Sequence, residues 1–346
     1  MTFNWISIKQ PLLEWYKEQH RDLPWRKTKA PYHVWLSEIM LQQTRVEAVK
    51  NYYMRFLSEL PDIKALSEVS EERLLKLWEG LGYYNRARNL QKAAIMIMEQ
   101  YDGVFPMEYD EVISLPGIGE YTAGAVCSIC FGKPTPAVDG NVLRVVMRIR
   151  DCYDNIDDIK TKRQVKEELT ELYAKGECGE LTQALMELGA VICIPNGTPR
   201  CEECPLRSFC LACERNTYDR LPIRKEKKKR RIQEMTVFIL HDGDEYAVHK
   251  RDDSGLLAGL WEFYHEDRKM TRQQAMDFVS DKGFCPVHIE REVPYTHVFT
   301  HMEWRMTAYY ISCSYKKDTL KWIHRSEFEN GYALPTAFRF FLEKEE

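Results

Sequence analysis

Four cysteines that stand close together in the chain have the spacing of a metal site. Seven, two and five residues separate successive members of the set Cys193, Cys201, Cys204 and Cys210. Four thiolates this close together are typical of either a 4Fe-4S cluster or zinc. A zinc ribbon favours two well-separated CxxC pairs, and the second pair here, Cys210 with Cys213, follows the first too closely. The spacing therefore favours an iron–sulfur cluster and leaves zinc open.

A glycine-rich turn offers a second chemical feature, the binding of phosphate. The segment LPGIGEYTAGAV, residues 115–126, leads from a Pro-Gly-x-Gly turn into a helix of small residues. Such a turn exposes backbone N–H groups at a helix start, where a phosphate oxygen accepts hydrogen bonds. Gly117 and Gly119 carry no Cβ and allow a close approach. A tight turn between two packed helices would use the same residues, so the motif alone leaves both interpretations open.

Two acidic residues have ordinary explanations when taken alone. Asp139, in PAVDGNVLRVVMRI, stands just before a helical pattern, where an N-cap is the usual role. Glu38, in SEIMLQQTRVEAV at residues 37–49, could be one more exposed carboxylate of a helix. Neither position indicates catalysis without further information.

Helical elements must position these residues, because apolar side chains recur at helical spacing from Trp5 to about Val191. Turn residues such as Pro61, Pro116 and Pro134 separate the periodic runs. The pattern predicts a compact helical domain over residues 1–214. Its last part, the cysteine loop at 193–213, is too polar to pack by itself and needs a metal to hold it.

A different pattern follows a basic run. Residues 223–231, IRKEKKKRR, form either a local basic patch or a solvated linker, and we assign 215–231 to the linker. Beyond it, segments such as MTVFIL and WRMTAYYISCSY are rich in β-branched and aromatic residues, as strands are. Helical patterns return at 271–283 and 335–345. The pattern predicts a second, α+β domain over residues 232–346.

The composition argues against several classes of protein. Eleven cysteines, an odd number, do not suggest a disulfide scaffold. No stretch approaches the roughly 18 consecutive apolar residues of a membrane span, and the start MTFNWISIKQP does not read as a signal peptide. We therefore expect a cytoplasmic protein without a membrane partner. The net charge of −4 does not indicate nucleic-acid binding, so DNA contacts would need a local patch.

The order of LPGIGEYTAG, VDGNV and a four-cysteine loop resembles the helix-hairpin-helix glycosylase superfamily that includes endonuclease III. The resemblance implies that Asp139 is catalytic and that Cys193, Cys201, Cys204 and Cys210 bind a 4Fe-4S cluster. An anion beside the deoxyribose suits this chemistry, because breaking an N-glycosidic bond builds positive charge on the sugar. One departure is the first cysteine interval, which is six residues in the family and seven here, with the additional Cys213 nearby.

The segment SEIMLQQTRVEAV narrows the resemblance to the MutY family of adenine-specific DNA glycosylases. It places Glu38 at the catalytic glutamate, which would protonate N7 of adenine while Asp139 acts as the electrostatic partner or forms a transient glycosyl ester. Bifunctional relatives carry lysine where this chain has Tyr121, and tyrosine cannot form a Schiff base. The family implies that Tyr121 and Asn141 support Asp139. A bifunctional, endonuclease III-like lyase is the alternative.

The resemblance also implies residues that handle the flipped base. A base inside a duplex must leave the stack before it can be cut, and the gap must be filled. Gln43 and Tyr83 fall at wedge positions in the stack. Arg26 and Gln183 fall in the adenine pocket. Each of the four could instead be an ordinary helix-surface or core residue.

The second domain resembles the MutT-like C-terminal domain of the same family, through LLAGLWEFY and HVFTH. The family's Phe-Ser-His recognition loop for 8-oxoguanine stands here as Phe299, Thr300 and His301. Nudix hydrolases need an REUxEE helix to bind magnesium, and TRQQAMDFVSDKG contains no such pattern. We therefore do not expect pyrophosphate hydrolysis.

Together these features predict an adenine glycosylase that acts, as a monomer, on duplex DNA carrying adenine opposite 8-oxoguanine or guanine. The sequence leaves open whether the basic run binds a sliding-clamp or mismatch-repair protein. The remaining alternative of a different class is a non-enzymatic, zinc-containing DNA-binding protein.

Overall fold

The computed structural model describes residues 3–226 and 229–343, and their contacts divide them into two compact units. The first unit combines the described part of residues 1–68 with residues 89–226. The second combines residues 69–88 with the described residues after 228. The domain prediction places residues 69–88 in the first part of the chain, whereas their contacts group them with the second unit.

Residues 3–226 are almost entirely helical. The α-helices are α1 (Lys9–Gln19), α2 (Pro31–Leu41), α3 (Val46–Glu59), α4 (Ile63–Glu68), α5 (Glu71–Trp78), α6 (Asn85–Gln100), α7 (Tyr109–Ser114), α8 (Glu120–Phe131), α9 (Gly140–Arg150), α10 (Ile159–Tyr173), α11 (Cys178–Val191) and α12 (Leu211–Glu214). Single turns of 3-10 helix lie at Trp5–Ile8, Pro24–Arg26, Cys201–Glu203, Arg207–Phe209 and Tyr218–Arg220. None of the helices within the described ranges is long and apolar enough to cross a membrane.

The helix α11 lies at the centre of the first unit and contacts α1, α8 and α9. Its apolar face meets those of α9 and α10 around the fully buried side chains of Val146, Leu169 and Leu185. Gly189 lets α11 approach the start of α9, because a Cβ at this position would lie only 2.7 Å from the Cβ of Asn141. The core thereby fixes the first turn of α9 against α11.

A mixed six-stranded sheet forms the centre of the second unit, with the strand order β4-β5-β1-β3-β2-β6. The strands are β1 (Arg231–Asp242), β2 (Glu245–Lys250), β3 (Trp261–Glu266), β4 (Pro286–Val298), β5 (Met302–Cys313) and β6 (Lys321–His324). The pair β1–β5 is parallel, with Val237 opposite Ala308, and the other pairs are antiparallel. The helices are α13 (Arg272–Asp281), α14 (Glu327–Asn330) and α15 (Thr336–Glu343).

Alternation along β1 gives the sheet two buried faces. Val237 and Ile239 pack in the cluster that contains α15, whereas Phe238 and Leu240 pack in the cluster that contains α13. Side chains of a strand point to opposite faces in turn, so a helix covers each face. The predicted fold class, a helical first part and an α+β second part, is confirmed.

The sequence pattern does not predict two of the strands. β3 carries the sequence WEFYHE, in which the acidic Glu262 interrupts the apolar residues. Glu262 is nevertheless buried, because it pairs with Arg251 and with His249 at 3.0 Å. β6 has only four residues, too short for a recognisable alternation.

Candidate active site

The first unit contains a cavity of about 400 Å³, within the size range of ligand pockets. Helices α2, α8, α9 and α11 and the loop after α2 supply its walls. Seven of the residues singled out from the sequence line it together: Arg26, Glu38, Gln43, Tyr121, Asp139, Asn141 and Gln183. Residues from widely separated parts of the chain therefore meet around one space.

Glu38 lies on α2 among apolar residues and is only 6% exposed. Burial raises the pKa of its carboxyl group to about 7, although a hydrogen bond from the Tyr121 hydroxyl, at 2.5 Å, lowers it in part. The nearby Asp139 carboxylate raises it further. A carboxyl group with this pKa still holds a proton near neutral pH and has the property that a general acid needs.

Asp139 is the N-cap of α9, and donors occupy both of its carboxylate oxygens. The backbone N–H of Val142 donates to Oδ1 at 2.7 Å, and the amide of Asn141 donates to Oδ2 at 2.8 Å. Asn141 is held in turn by Arg144, which donates to its Oδ1 at 2.9 Å. Burial raises the pKa of Asp139, and its hydrogen bonds offset part of that rise by stabilising the carboxylate.

The two acids of the cavity thus differ in their surroundings. Donors surround Asp139, whereas one phenol hydroxyl contacts Glu38. The expected support of Asp139 by Tyr121 takes another form here, because the Tyr121 hydroxyl is directed to Glu38 and only Asn141 of the two contacts Asp139. The arrangement suits a proton donor at Glu38 beside an anion at Asp139.

An ion pair whose carboxylate is completely buried forms another part of the wall. Glu187 on α11 accepts hydrogen bonds from Arg21 at 2.7 and 2.8 Å and from Arg26 at 2.7 Å. Burial alone would raise the pKa of Glu187, but the two arginines outweigh it and lower the pKa to about 2. On the same helix, Gln183 accepts a hydrogen bond from the Tyr16 hydroxyl at 2.8 Å.

Sequence reasoning missed Glu187 and its partner Arg21. A signal was present, since Glu187 lies one turn after Gln183 within the apolar stretch ALMELGAV. A lone acid on the buried face of a helix needs a partner, so it should have been paired with a basic residue elsewhere in the chain.

The residues predicted to bind phosphate or to act as wedges have left-handed backbone or lie at the start of a helix. Gly117 has a φ of +78°, and Gly119 is the residue that precedes α8. Gln43, exposed in the loop after α2, has a φ of +61°. Tyr83 belongs to the second unit, is 46% exposed and has a φ of +47°. Left-handed backbone at residues other than glycine is uncommon and is found often at functional sites.

The three predicted recognition residues form the turn of the hairpin between β4 and β5. Thr300 and His301 are exposed, and the Thr300 hydroxyl makes a short hydrogen bond with the hydroxyl of Tyr83. Phe299 is half-buried and packs edge-on against Trp304, with ring centroids 4.8 Å apart. The turn therefore presents two polar side chains outward and holds its aromatic ring against the sheet.

The cysteines predicted to bind metal line one apolar cavity of the first unit. The residues are Cys193, Cys201, Cys204, Cys210 and the additional Cys213. The pKa of Cys204 is raised to about 12 and that of Cys210 to about 11, chiefly by burial and in part by the neighbouring thiols. Thiolates become stable in such a place when a metal neutralises their charge.

The donor set bears on the metal that these residues could hold. Cysteine thiolates bind either zinc or a four-iron cluster. Four thiols around one apolar space fit the ligand set of such a cluster.

Two family models match different parts of the chain. The model for "HhH-GPD superfamily base excision DNA repair protein" matches residues 36–175. The model for the NUDIX domain matches residues 235–344. The helical part is similar to a thermostable thymine-DNA glycosylase (TM-score 0.55, 28% identity, 61% of this chain and 97% of that one). It is also similar to endonuclease III in a non-covalent DNA complex (TM-score 0.53, 27% identity, 62% and 98%).

Curated relatives extend over both parts. The adenine DNA glycosylase of Buchnera aphidicola (Acyrthosiphon pisum strain APS) is 32% identical over 93% of this chain and 91% of its own length. The Homo sapiens adenine DNA glycosylase is 30% identical over 96% of this chain and 73% of its own. The Arabidopsis thaliana one is 35% identical over 86% of this chain, which spans 55% of that longer protein.

Proposed function

This chain belongs to the family of adenine DNA glycosylases, and from that premise we propose that it releases adenine mispaired with 8-oxoguanine or guanine in duplex DNA without cutting the strand. As a family member it is a DNA N-glycosylase of base excision repair. The observation that carries the proposal is a pair of acids in one cavity, the buried Glu38 held by Tyr121 and the half-buried Asp139 held by Asn141.

Protonation of the base starts the proposed reaction. Adenine is a poor leaving group as an anion, so Glu38 transfers its proton to N7. The C1′–N9 bond then breaks, and its electron pair leaves with the base. The Asp139 carboxylate faces the sugar and stabilises the positive charge that develops there. Water adds to C1′ and gives a proton back to the Glu38 carboxylate, which restores the acid.

The cavity wall supports a reaction without strand cleavage. A lyase needs an amine that attacks C1′ and forms a Schiff base. Tyr121 stands at the position of the lyase lysine, and no lysine is found among the described residues that line the cavity. These observations support a monofunctional enzyme over the bifunctional alternative.

Four cysteines are the proposed ligands of a 4Fe-4S cluster: Cys193, Cys201, Cys204 and Cys210. When bound, the cluster cross-links the loop through iron–thiolate bonds. The loop itself supplies Arg200 and Arg207, both exposed, as candidates for phosphate contacts. Iron analysis of the purified protein tests this assignment, and zinc without iron would overturn it.

Recognition of the opposite base is assigned to the β4–β5 turn. Every normal A·T pair contains adenine, so the cavity alone cannot select a mispaired one, and the partner strand must be read. Thr300 and His301 are exposed polar groups suited to hydrogen bonding with 8-oxoguanine. Phe299 acts as a wedge only if it leaves its contact with Trp304.

One assay tests the whole proposal. Duplexes with adenine opposite 8-oxoguanine, guanine, cytosine or thymine are incubated with the protein and then analysed with and without alkali. We expect base release opposite 8-oxoguanine and guanine, with strand breaks only after alkali. Strand breaks without alkali, or efficient borohydride trapping, would favour the bifunctional alternative. A protein active on all four duplexes alike would contradict the proposed specificity.

A further inference from the structure

The start of the basic run is fixed to the first unit. Ile156 N–H donates to the carbonyl oxygen of Ile223 at 3.1 Å, and the N–H of Lys225 donates to Asp157 at 2.9 Å. These two hydrogen bonds lie on either side of Arg224. The backbone at Arg224 is therefore anchored, unlike that of a free linker.

The anchored backbone places the Arg224 guanidinium beside the start of α9. Its Nη2 lies 3.4 Å from the position that a Cβ on Gly140 would occupy, and Gly140 directly follows Asp139. Arg224 is exposed and, within the described ranges, has no carboxylate partner. The next residue differs, because the Lys225 ammonium pairs with Asp158 at 2.8 Å. A cation with no carboxylate partner in the described part of the chain thus stands beside Gly140, one residue after the proposed catalytic anion.

A groove of about 530 Å³ continues from this point. Tyr121 and Asp139 form part of its wall as well as part of the cavity wall, so the two spaces lie on either side of them. Lys162 and Arg163 of α10 line the groove, are exposed, and form no ion pair within the described ranges. Two acids, Glu120 and Asp157, also line it, but Glu120 pairs with Lys166 and Asp157 holds the Lys225 backbone.

We propose that Arg224 binds a phosphate of the target nucleotide, and that Arg163 and Lys162 continue the contact along the same strand. The proposal rests on the proposed function, in which Asp139 faces the sugar of that nucleotide. The two phosphates that flank a nucleotide are attached to its sugar, so a cation in the groove beside Asp139 is placed to reach one of them. A planar guanidinium binds phosphate oxygens through paired hydrogen bonds. Arg224 is thus a positioning residue that holds the sugar against Asp139.

Salt dependence of DNA binding separates a phosphate-binding role from a structural one. Fluorescence anisotropy is measured over a range of KCl concentrations, on a duplex with a tetrahydrofuran abasic analogue opposite 8-oxoguanine. The slope of log affinity against log salt falls by about one for each phosphate that the protein no longer binds. We expect this decrease for Arg224→Ala, with about tenfold weaker binding at moderate salt, and a slope near that of the wild type for Arg224→Lys.

Lys225→Ala is the matched control, because it removes the same charge one residue away from a side chain already paired with Asp158. Its slope should equal that of the wild type. An unchanged slope for Arg224→Ala, or an equal decrease for Lys225→Ala, would overturn the proposal. Since this duplex carries no mispaired adenine to excise, the binding result is independent of the glycosylase assay, and a failure of the proposed function would appear only in that assay.

Discussion

Tyr121 on α8 donates its hydroxyl hydrogen to Oε2 of Glu38 on α2, at 2.5 Å. Burial raises the pKa of Tyr121 well above its usual value, so the phenol stays protonated and remains a donor. Its hydrogen bond stabilises the Glu38 carboxylate, whereas burial destabilises it, and the balance leaves the pKa of Glu38 at about 7. A single phenol therefore adjusts the acid on which base release is proposed to depend.

The pH dependence of excision should report this balance. If Glu38 must be protonated, the single-turnover rate should fall as the pH rises through about 7. Tyr121→Phe removes a hydrogen-bond donor that lowers the pKa of Glu38. The alkaline limb, the part of the plot where the rate falls with rising pH, should therefore move to higher pH, while the maximal rate falls about tenfold. Tyr53→Phe removes a buried phenol outside the cavity and is the control, which should leave the alkaline limb in place. A limb unmoved by Tyr121→Phe would contradict the assignment.

The pH dependence of stability should also report the raised pKa of Glu38. Below the ordinary pKa of 4.5, Glu38 is protonated whether the chain is folded or not, so it contributes no pH dependence. Between 4.5 and about 7 the unfolded chain loses the proton first, and the folded state is destabilised as the pH rises. At 1.36 kcal/mol per pH unit, the loss is about 3 kcal/mol above pH 7. Urea unfolding of Glu38→Gln should show higher stability than the wild type at pH 8 and equal stability at pH 4.

Asp139→Asn should separate chemistry from folding. Asparagine is as good an N-cap as aspartate, so α9 should keep its start and the melting temperature should change little. The anion beside the sugar is removed, however, and we expect adenine release to be abolished with duplex affinity within about tenfold of the wild type. Single-turnover excision measures the rate of adenine release, and gel shifts measure the affinity for the duplex. Release near the wild-type rate would remove Asp139 from the mechanism.

Glu187→Gln tests the buried ion pair of the cavity wall. The change leaves Arg21 and Arg26 without their carboxylate. Breaking a fully buried pair costs about 3–5 kcal/mol, and the cost here is smaller because solvent reaches Arg21. For Glu187→Gln we expect a lower free energy of unfolding in urea and weaker binding of duplexes that carry a mispaired adenine. Glu180→Gln on the same helix is the control, because its pair with Lys29 is largely exposed and should contribute less than about 1 kcal/mol. Equal effects of the two variants would be incompatible with this account.

Thr300→Val tests recognition of the opposite base. The change keeps the shape of the side chain but removes the hydroxyl that contacts Tyr83 and faces outward from the turn. We expect the ratio of excision rates opposite 8-oxoguanine and guanine to fall about tenfold, the value of one or two hydrogen bonds. Thr296→Val, at an exposed position of β4, should leave the ratio unchanged. A constant ratio in both variants would place lesion recognition elsewhere.

The cavity could be predicted from the sequence where its chemistry is encoded in short segments. Glu38 and Asp139 each stand within a short segment that resembles a known family, and the spacing of the four cysteines indicates a metal site without knowledge of the fold. Helical periodicity predicts the first unit for the same reason, since i and i+4 neighbours are local.

Interactions between distant parts of the chain were not predictable in this way. Glu187 and Arg21 are 166 positions apart, and neither lies in a motif. Likewise, Glu79 is buried, accepts a hydrogen bond from Leu334 N–H at 2.7 Å and forms an ion pair with Arg339. Both partners are about 260 positions away in the sequence. Periodicity gives the buried face of a helix but does not identify its partner, which only the assembled core determines.

The grouping of residues 69–88 with the second unit has a consequence for any attempt to divide this protein. A fragment cut after residue 226 would carry α5 and the buried Glu79 but would lack Leu334 and Arg339. The complementary fragment would have an uncovered backbone donor at Leu334 and would lack the Lys76 ammonium that donates to the Phe328 carbonyl. The second unit therefore consists of two separate segments of the sequence. A recombinant version of it would need α5 as well, either as a separate peptide or fused ahead of β1.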